Sequence, residues 1–167
     1  MKAILIFIGL LFVLVWSVPR TILSIQFDRN CTGYLKRAAD ANTVELAKAQ
    51  LAIAIQYARA HGDTAGFTSV LYRTPDEDVG FWFSNLTASL QELESLKLDA
   101  SPLERSNMLM KLRETLLDQG TKSVGVTTPD GISVFPHNMA WAFFGWLAMV
   151  FGAGLICIPI SYLLAEY

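Results

Sequence analysis

The sequence predicts a mostly α-helical protein in which two transmembrane helices flank an antiparallel three- or four-helix bundle with a small β-hairpin. Three observations predict it. Runs without an ionisable group occupy both ends of the chain, Ala3 to Val18 and Met139 to Ala165. Apolar residues at three-four spacing, bracketed by helix-start and helix-stop residues, fill most of the stretch between them. A short period-two segment then leads into the second apolar run.

Composition agrees with that class. Of 167 residues, 53% are hydrophobic and 17% charged, and the mean hydropathy is +0.39, too apolar for an ordinary soluble domain of this size. The run from Met139 to Ala165 would reach roughly 40 Å as a helix, enough for a hydrocarbon core of about 30 Å. The first run is shorter, about 24 Å, and a cleavable signal peptide is the competing reading. The stretch Ser17 to Phe27 offers no small-x-small cleavage site, and the apolar pattern resumes at Ile22. An uncleaved anchor that continues past Pro19, with Arg20 snorkelling to the headgroups, is therefore expected.

Two spans put both termini on one side. Lys2 and the terminal amine favour a cytoplasmic N-terminus. The expected product is a two-pass protein of the inner (plasma) membrane with cytoplasmic termini and an extracytoplasmic middle domain. Cys31 lies just beyond the first span and Cys157 inside the second, too far apart in depth for an intramolecular disulfide.

The middle reads as follows. From Asn30 to His61 there is no proline, and Leu35, Ala39, Asn42, Leu46, Ala49, Ile53, Tyr57 and Ala60 keep a helical spacing that Gly62 ends. One long helix is expected, with a capping box at Asn42-Thr43-Val44-Glu45 as the alternative start of a second. The loop from Gly62 to Arg73 carries Phe67, Val70, Leu71 and Tyr72 and is too apolar to be fully solvated. Thr74-Pro75-Asp76-Glu77 supplies an N-cap, a proline at the first helical position and a glutamate at the third. Its carboxylates oppose the positive end of the helix dipole. Val79, Phe83, Leu86, Leu90, Leu93 and Leu96 form the buried stripe, with Trp82 at its edge. Successive helical residues are about 100° apart, so Phe81, Trp82 and Phe83 cannot all enter one seam. Phe81 and Trp82 are thus candidate partner contacts.

The next helix repeats the start signal at Ser101-Pro102-Leu103-Glu104 and stops at Gly120, with Leu109, Leu112 and Leu116 on one face. Residues 123–135 then alternate around Pro129-Asp130-Gly131, a hairpin turn with Gly131 left-handed. The resulting organisation is an N-terminal anchor over 1–27, a helical extramembrane domain over 28–122, a β-hairpin and membrane-proximal linker over 123–138, and a C-terminal transmembrane helix over 139–167.

Chemistry is sparse. The sequence has two histidines, His61 and His137, both read as helix-end or interface residues, and no metalloprotease, thiol-pair, nucleophile-elbow or phosphate-loop motif. Asp76, Glu77 and Asp78 are consecutive rather than alternate and do not match a calcium loop. No catalytic residue, cofactor or metal ligand is expected. A net charge of −2 argues against nucleic acid. The second span carries Gly145, Ala148 and Gly152 on one smooth face suited to close helix packing, and Pro159 would weaken its end.

These features predict a non-enzymatic accessory or assembly subunit of a membrane complex. Its partners would be the lipid bilayer and other membrane subunits, or self-association through the second span, which can instead pack on the first. In layout alone, span, helical domain and span resembles the input half of bacterial chemoreceptors and sensor kinases. That resemblance implies the alternative, a sensory or ligand-binding module that signals through a partner.

Overall fold

Helix formation follows the apolar runs and the capping residues, and the described residues form five helices. The structure, a computed structural model, describes residues 2–97, 99–119, 124–157 and 161. Gly120 and Pro159 lie outside these residues, but the helix expected to run to Gly120 already ends at Leu116, where Leu117–Gln119 turn to strand. The helices are α1 (Ala3–Ala39), α2 (Val44–His61), α3 (Val79–Ser95), α4 (Pro102–Leu116) and α5 (Asn138–Cys157). One small antiparallel sheet pairs β1 (Leu117–Gln119) with β2 (Val124–Val126). Two of the helices, α1 and α5, are long and apolar enough to cross a membrane.

Helix α1 is the organising element. Its 37 residues correspond to about 55 Å, and it continues through Pro19, where the Thr21 hydroxyl donates to the Ser17 carbonyl at 2.9 Å. Its first two thirds expose large apolar side chains such as Phe7, Leu11 and Val15, whereas Phe27, Cys31, Leu35 and Ala38 are buried in the domain core. A π-helical turn at Asp28–Thr32 joins the two regimes. The apolar span and the core helix are thus one continuous rod.

The expected helix from Asn30 to His61 is instead two. The chain leaves α1 at Asp40, and Thr43 caps α2 by accepting from the Leu46 amide at 3.2 Å. This is the alternative reading shifted by one residue. The buried face of α2 shifts too: Val44, Ala47, Leu51, Ala54 and Ala58 face inward, while Leu46 and Ile53 are exposed. Alanines win because α1 approaches closely, with the Cys31 thiol 3.9 Å from the Ala54 carbonyl oxygen. A leucine there would hold the helices apart.

Helix α3 starts four residues later than the proline suggests. Pro75–Glu77 forms a 3-10 turn, and Asp78 caps the helix by accepting from the Phe81 amide at 3.0 Å. The loop around Phe67 is responsible. Thr68 donates to the Glu77 carbonyl at 3.0 Å and Val79 donates to the Gly66 carbonyl at 2.9 Å, which holds the intervening backbone extended. Helix α4 begins with the full capping box foreseen, Ser101 amide to Glu104 Oε2 at 2.7 Å and Glu104 amide to Ser101 Oγ at 3.2 Å. Those bonds pull the Glu104 carboxyl below its ordinary range.

The hairpin differs in its partner. Strand β2 pairs back onto β1, the continuation of α4, with Leu117 opposite Val126, and does not pair across Pro129-Asp130-Gly131. Gly131 is left-handed as expected, with φ of 72°, but it leads into a 3-10 turn, Ile132–Val134. In the core, α1 packs on α2 and α4, and α2 packs on α3; Leu35, Leu51, Leu86, Leu93, Leu112 and Leu116 are its large members.

Candidate functional site

The small-residue face of α5 lies against α1 of the same chain. A Cβ on Gly145 would sit 2.9 Å from the Trp16 ring, and one on Gly152 would sit 2.7 Å from Val13 Cγ2. Ala148 is buried between them. Trp16 Nε1 also donates to the Trp141 carbonyl at 3.0 Å. Gly145, Ala148 and Gly152 therefore join the two apolar helices to each other.

The three aromatics separate as helical geometry requires. Trp82 is buried, and its indole N–H donates to the Thr127 carbonyl at 3.0 Å, tying α3 to the segment after β2. It belongs to the chain's own core and is no surface contact. Phe81 is 64% exposed. It stands in a groove of about 730 Å³ between the start of α3 and the segment after β2. Five carboxylates line that groove, those of Asp76, Glu77, Asp78, Asp118 and Asp130, and no Lys, Arg or His does among the described residues. Glu77 and Asp78 serve the helix start, Glu77 by accepting from the Thr74 hydroxyl at 2.6 Å. Asp76, Asp118 and Asp130 add negative charge on either side of an exposed ring. Leu71 and Tyr72 nearby in sequence are 86% and 79% exposed, so the apolar loop buries Phe67 only in part.

A second site lies where α1 leaves its apolar half. Helix α2 ends on Gly62, left-handed at φ of 81°. The Gly62 amide donates to the Arg59 carbonyl and the Asp63 amide to the Ala58 carbonyl at 2.9 Å. This double bond pattern folds the next residue back against the last turn, a position that ordinarily carries an apolar side chain. Here it is Asp63, 2% exposed, whose Oδ1 has no hydrogen-bond partner.

The walls around Asp63 combine aromatic side chains with Leu23, Ile132 and Val134 and with the polar Gln26 and Ser133. It lines a cavity of about 170 Å³ with Tyr57, His61, Phe27, Phe135 and Trp141, and His137 borders the same space. Tyr57 stacks on His61 with ring centroids 3.9 Å apart, and Phe27 meets Tyr57 edge-on at 6.0 Å. The His61 Nδ1–H donates to the Tyr57 carbonyl at 2.9 Å, which leaves Nε2 as the free nitrogen. Both histidines of the sequence thus border one cavity.

Electrostatics mark the same spot. Burial pushes the Asp63 carboxyl up to about 6, with His61 pulling the other way. Burial, and then the charge of Asp63, push the Cys31 thiol up to about 12, which leaves it inert as a nucleophile. Burial and Asp63 likewise raise Tyr57. Among the described residues no three His, Cys, Asp or Glu side chains are grouped to hold a metal ion. The arrangement offers a cation one buried carboxylate among aromatic side chains.

Sequence reasoning missed Asp63, which sits among the small and polar residues that open the loop, Gly62, Thr64 and Ala65. The available signal was a carboxylate directly after a helix-ending glycine, where an apolar side chain should pack. No protein-family model, curated protein or solved structure matches the chain.

Proposed function

We propose that this chain is a non-enzymatic accessory subunit that docks a partner membrane protein. It crosses the inner membrane twice with its termini in the cytoplasm, and it presents an extracytoplasmic four-helix bundle formed by the end of α1 with α2, α3 and α4. The observation that carries this reading is the groove in which Phe81 stands exposed among five carboxylates. An exposed aromatic beside unbalanced charge is the composition of a docking anchor with a charged rim. The complementary segment is one bearing lysine or arginine next to an apolar side chain. Because Gly145, Ala148 and Gly152 are occupied by α1, the groove rather than the second span is the contact.

The test is co-purification from the native membrane in a mild detergent. Phe81→Ala combined with Asp118→Lys removes the ring and reverses one charge at exposed positions, so the fold is retained. Loss of the partner supports the reading; an unchanged complex sinks it.

A second reading, ligand binding, is favoured by one specific observation: the buried Oδ1 of Asp63 without a partner inside an aromatic cavity. The unbroken run of α1 from that cavity into the apolar span gives an occupant a rigid route to the membrane.

A further inference from the structure

The Asp63 cavity does not end at its own walls. Trp141 and His137 also line an apolar cleft of about 600 Å³ between α1 and α5, whose other walls include Phe12, Val15, Phe144 and Leu147. The two spaces share those two residues and follow one another along α1, the cleft at Phe12 to Trp16 and the cavity at Leu23 to Phe27. Arg20 lies on α1 between those two stretches, exposed, with its guanidinium 5.5 Å from the Trp16 ring centroid and outside the lining of either space. It precedes Leu23 and Phe27 by three and seven residues and so shares their helix face.

Read from the apolar end upward, the order is hydrocarbon surface, cation, aromatic box, carboxylate. The geometry points to one binding site for a membrane amphiphile that carries an ammonium headgroup, its acyl chain in the cleft and its ammonium at Asp63. A phosphate between chain and ammonium would fall at the level of Arg20 and His137. Each part has its own chemical reason. The ammonium supplies the donors that Asp63 Oδ1 lacks, and a charge-assisted bond in a dry site is stronger than a neutral one. Phe27, Tyr57, Phe135 and Trp141 line the cavity, and aromatic side chains are what sites that recognise alkylammonium groups supply. A cavity of about 170 Å³ is larger than a single water requires. The cleft offers the acyl chain an apolar bed at the depth where lipid is available. The inference rests on the ligand-binding reading and is independent of the groove.

The experiment uses the full chain purified in a neutral maltoside detergent. Native mass spectrometry then follows retention of phosphatidylethanolamine and of phosphatidylglycerol with identical acyl chains, added in equal amounts. The expected result is a preference for phosphatidylethanolamine of about ten-fold, abolished by Asp63→Asn in protein that still unfolds cooperatively. The same preference in wild type should fade between pH 7.5 and pH 5, as Asp63 gains a proton; His61 and His137 face the same space, and Tyr57 and Cys31 stay neutral throughout. That arm keeps the inference testable if the variant does not fold. Equal retention of the two lipids, or a preference that survives Asp63→Asn, overturns it. Ethanolamine alone binding as tightly as the lipid also overturns the amphiphile while leaving the ligand-binding reading standing; no response to lipid or ethanolamine overturns both.

Discussion

Gly9 and Gly152 face each other across the two apolar helices, so closely that a Cβ on Gly9 would lie 2.8 Å from the Gly152 carbonyl oxygen. The obstacle is backbone, which cannot rotate aside as a side chain would. Gly9→Leu should therefore separate α1 from α5 and destabilise the protein by about 1 to 3 kcal/mol. For a chain of this length that lowers Tm by roughly 2 to 4 °C per kcal/mol. Thermal unfolding in detergent checks it, with Ala142→Leu, an exposed position on α5, as the control expected to leave Tm unchanged.

Adjacent aromatics should behave oppositely. Trp82 is buried and bonded to Thr127, whereas Phe81 is mostly exposed. Trp82→Ala should cost about 3 to 5 kcal/mol, and Phe81→Ala should stay within about 0.5 kcal/mol of wild type. Denaturant unfolding of the two variants measures both. Equal losses would contradict the assignment of Trp82 to the core and Phe81 to the surface.

The pH dependence of stability has a definite sign. The Asp63 carboxyl has a reference value of 3.8 and is raised to about 6 in the fold. Between those values the folded state binds more protons than the unfolded one, so this contribution falls as pH rises from about 4 to about 6 and is flat above. Asp63→Asn removes it. The variant should be closest to wild type in Tm near pH 4 and should gain on it up to pH 6. Tyr57 and Cys31 stay neutral over this range, and the pull of His61 on the Asp63 carboxylate is part of the difference the variant removes. A difference that does not change with pH would contradict the burial of an ionisable Asp63.

Membrane orientation is open to direct labelling. Asn107 is exposed on α4, and Asn107→Cys should react with a membrane-impermeant maleimide added to intact cells whose outer barrier is permeabilised. Cys31 is buried, and Cys157, which is exposed, is replaced by serine in the same protein, so that neither adds signal. Labelling only after the inner membrane is broken would place the domain in the cytoplasm.

The parts of the fold legible in the sequence are those fixed by local chemistry. The apolar runs of α1 and α5, the capping box at Ser101 and Glu104, the stop at Gly62 and the left-handed Gly131 each depend on a few neighbouring residues. What the sequence hid depends on contacts between distant segments. Bonds from Thr68 to Glu77 and from Val79 to Gly66 hold Asp78 between them extended and so delay α3. Close approach of α1 makes alanines, rather than Leu46 and Ile53, the inner face of α2. Strand β2 finds its partner in the end of α4. Of the site residues, Phe81 was legible as the aromatic left outside the seam. Asp63 was not, nor was the meeting of His61 with His137, because the end of α2 and the turn before α5 come together only in the folded chain.

The central claim is that the groove around Phe81 holds a partner segment that is both basic and apolar. A benzophenone side chain placed at position 81, and as a control at exposed Ala88, two turns further along α3 and outside the groove, tests it in the native membrane. Irradiation should attach one protein at position 81 and none at 88, and the linked peptide should carry lysine or arginine beside an apolar residue. No adduct at 81, or the same adducts at both positions, would contradict the account.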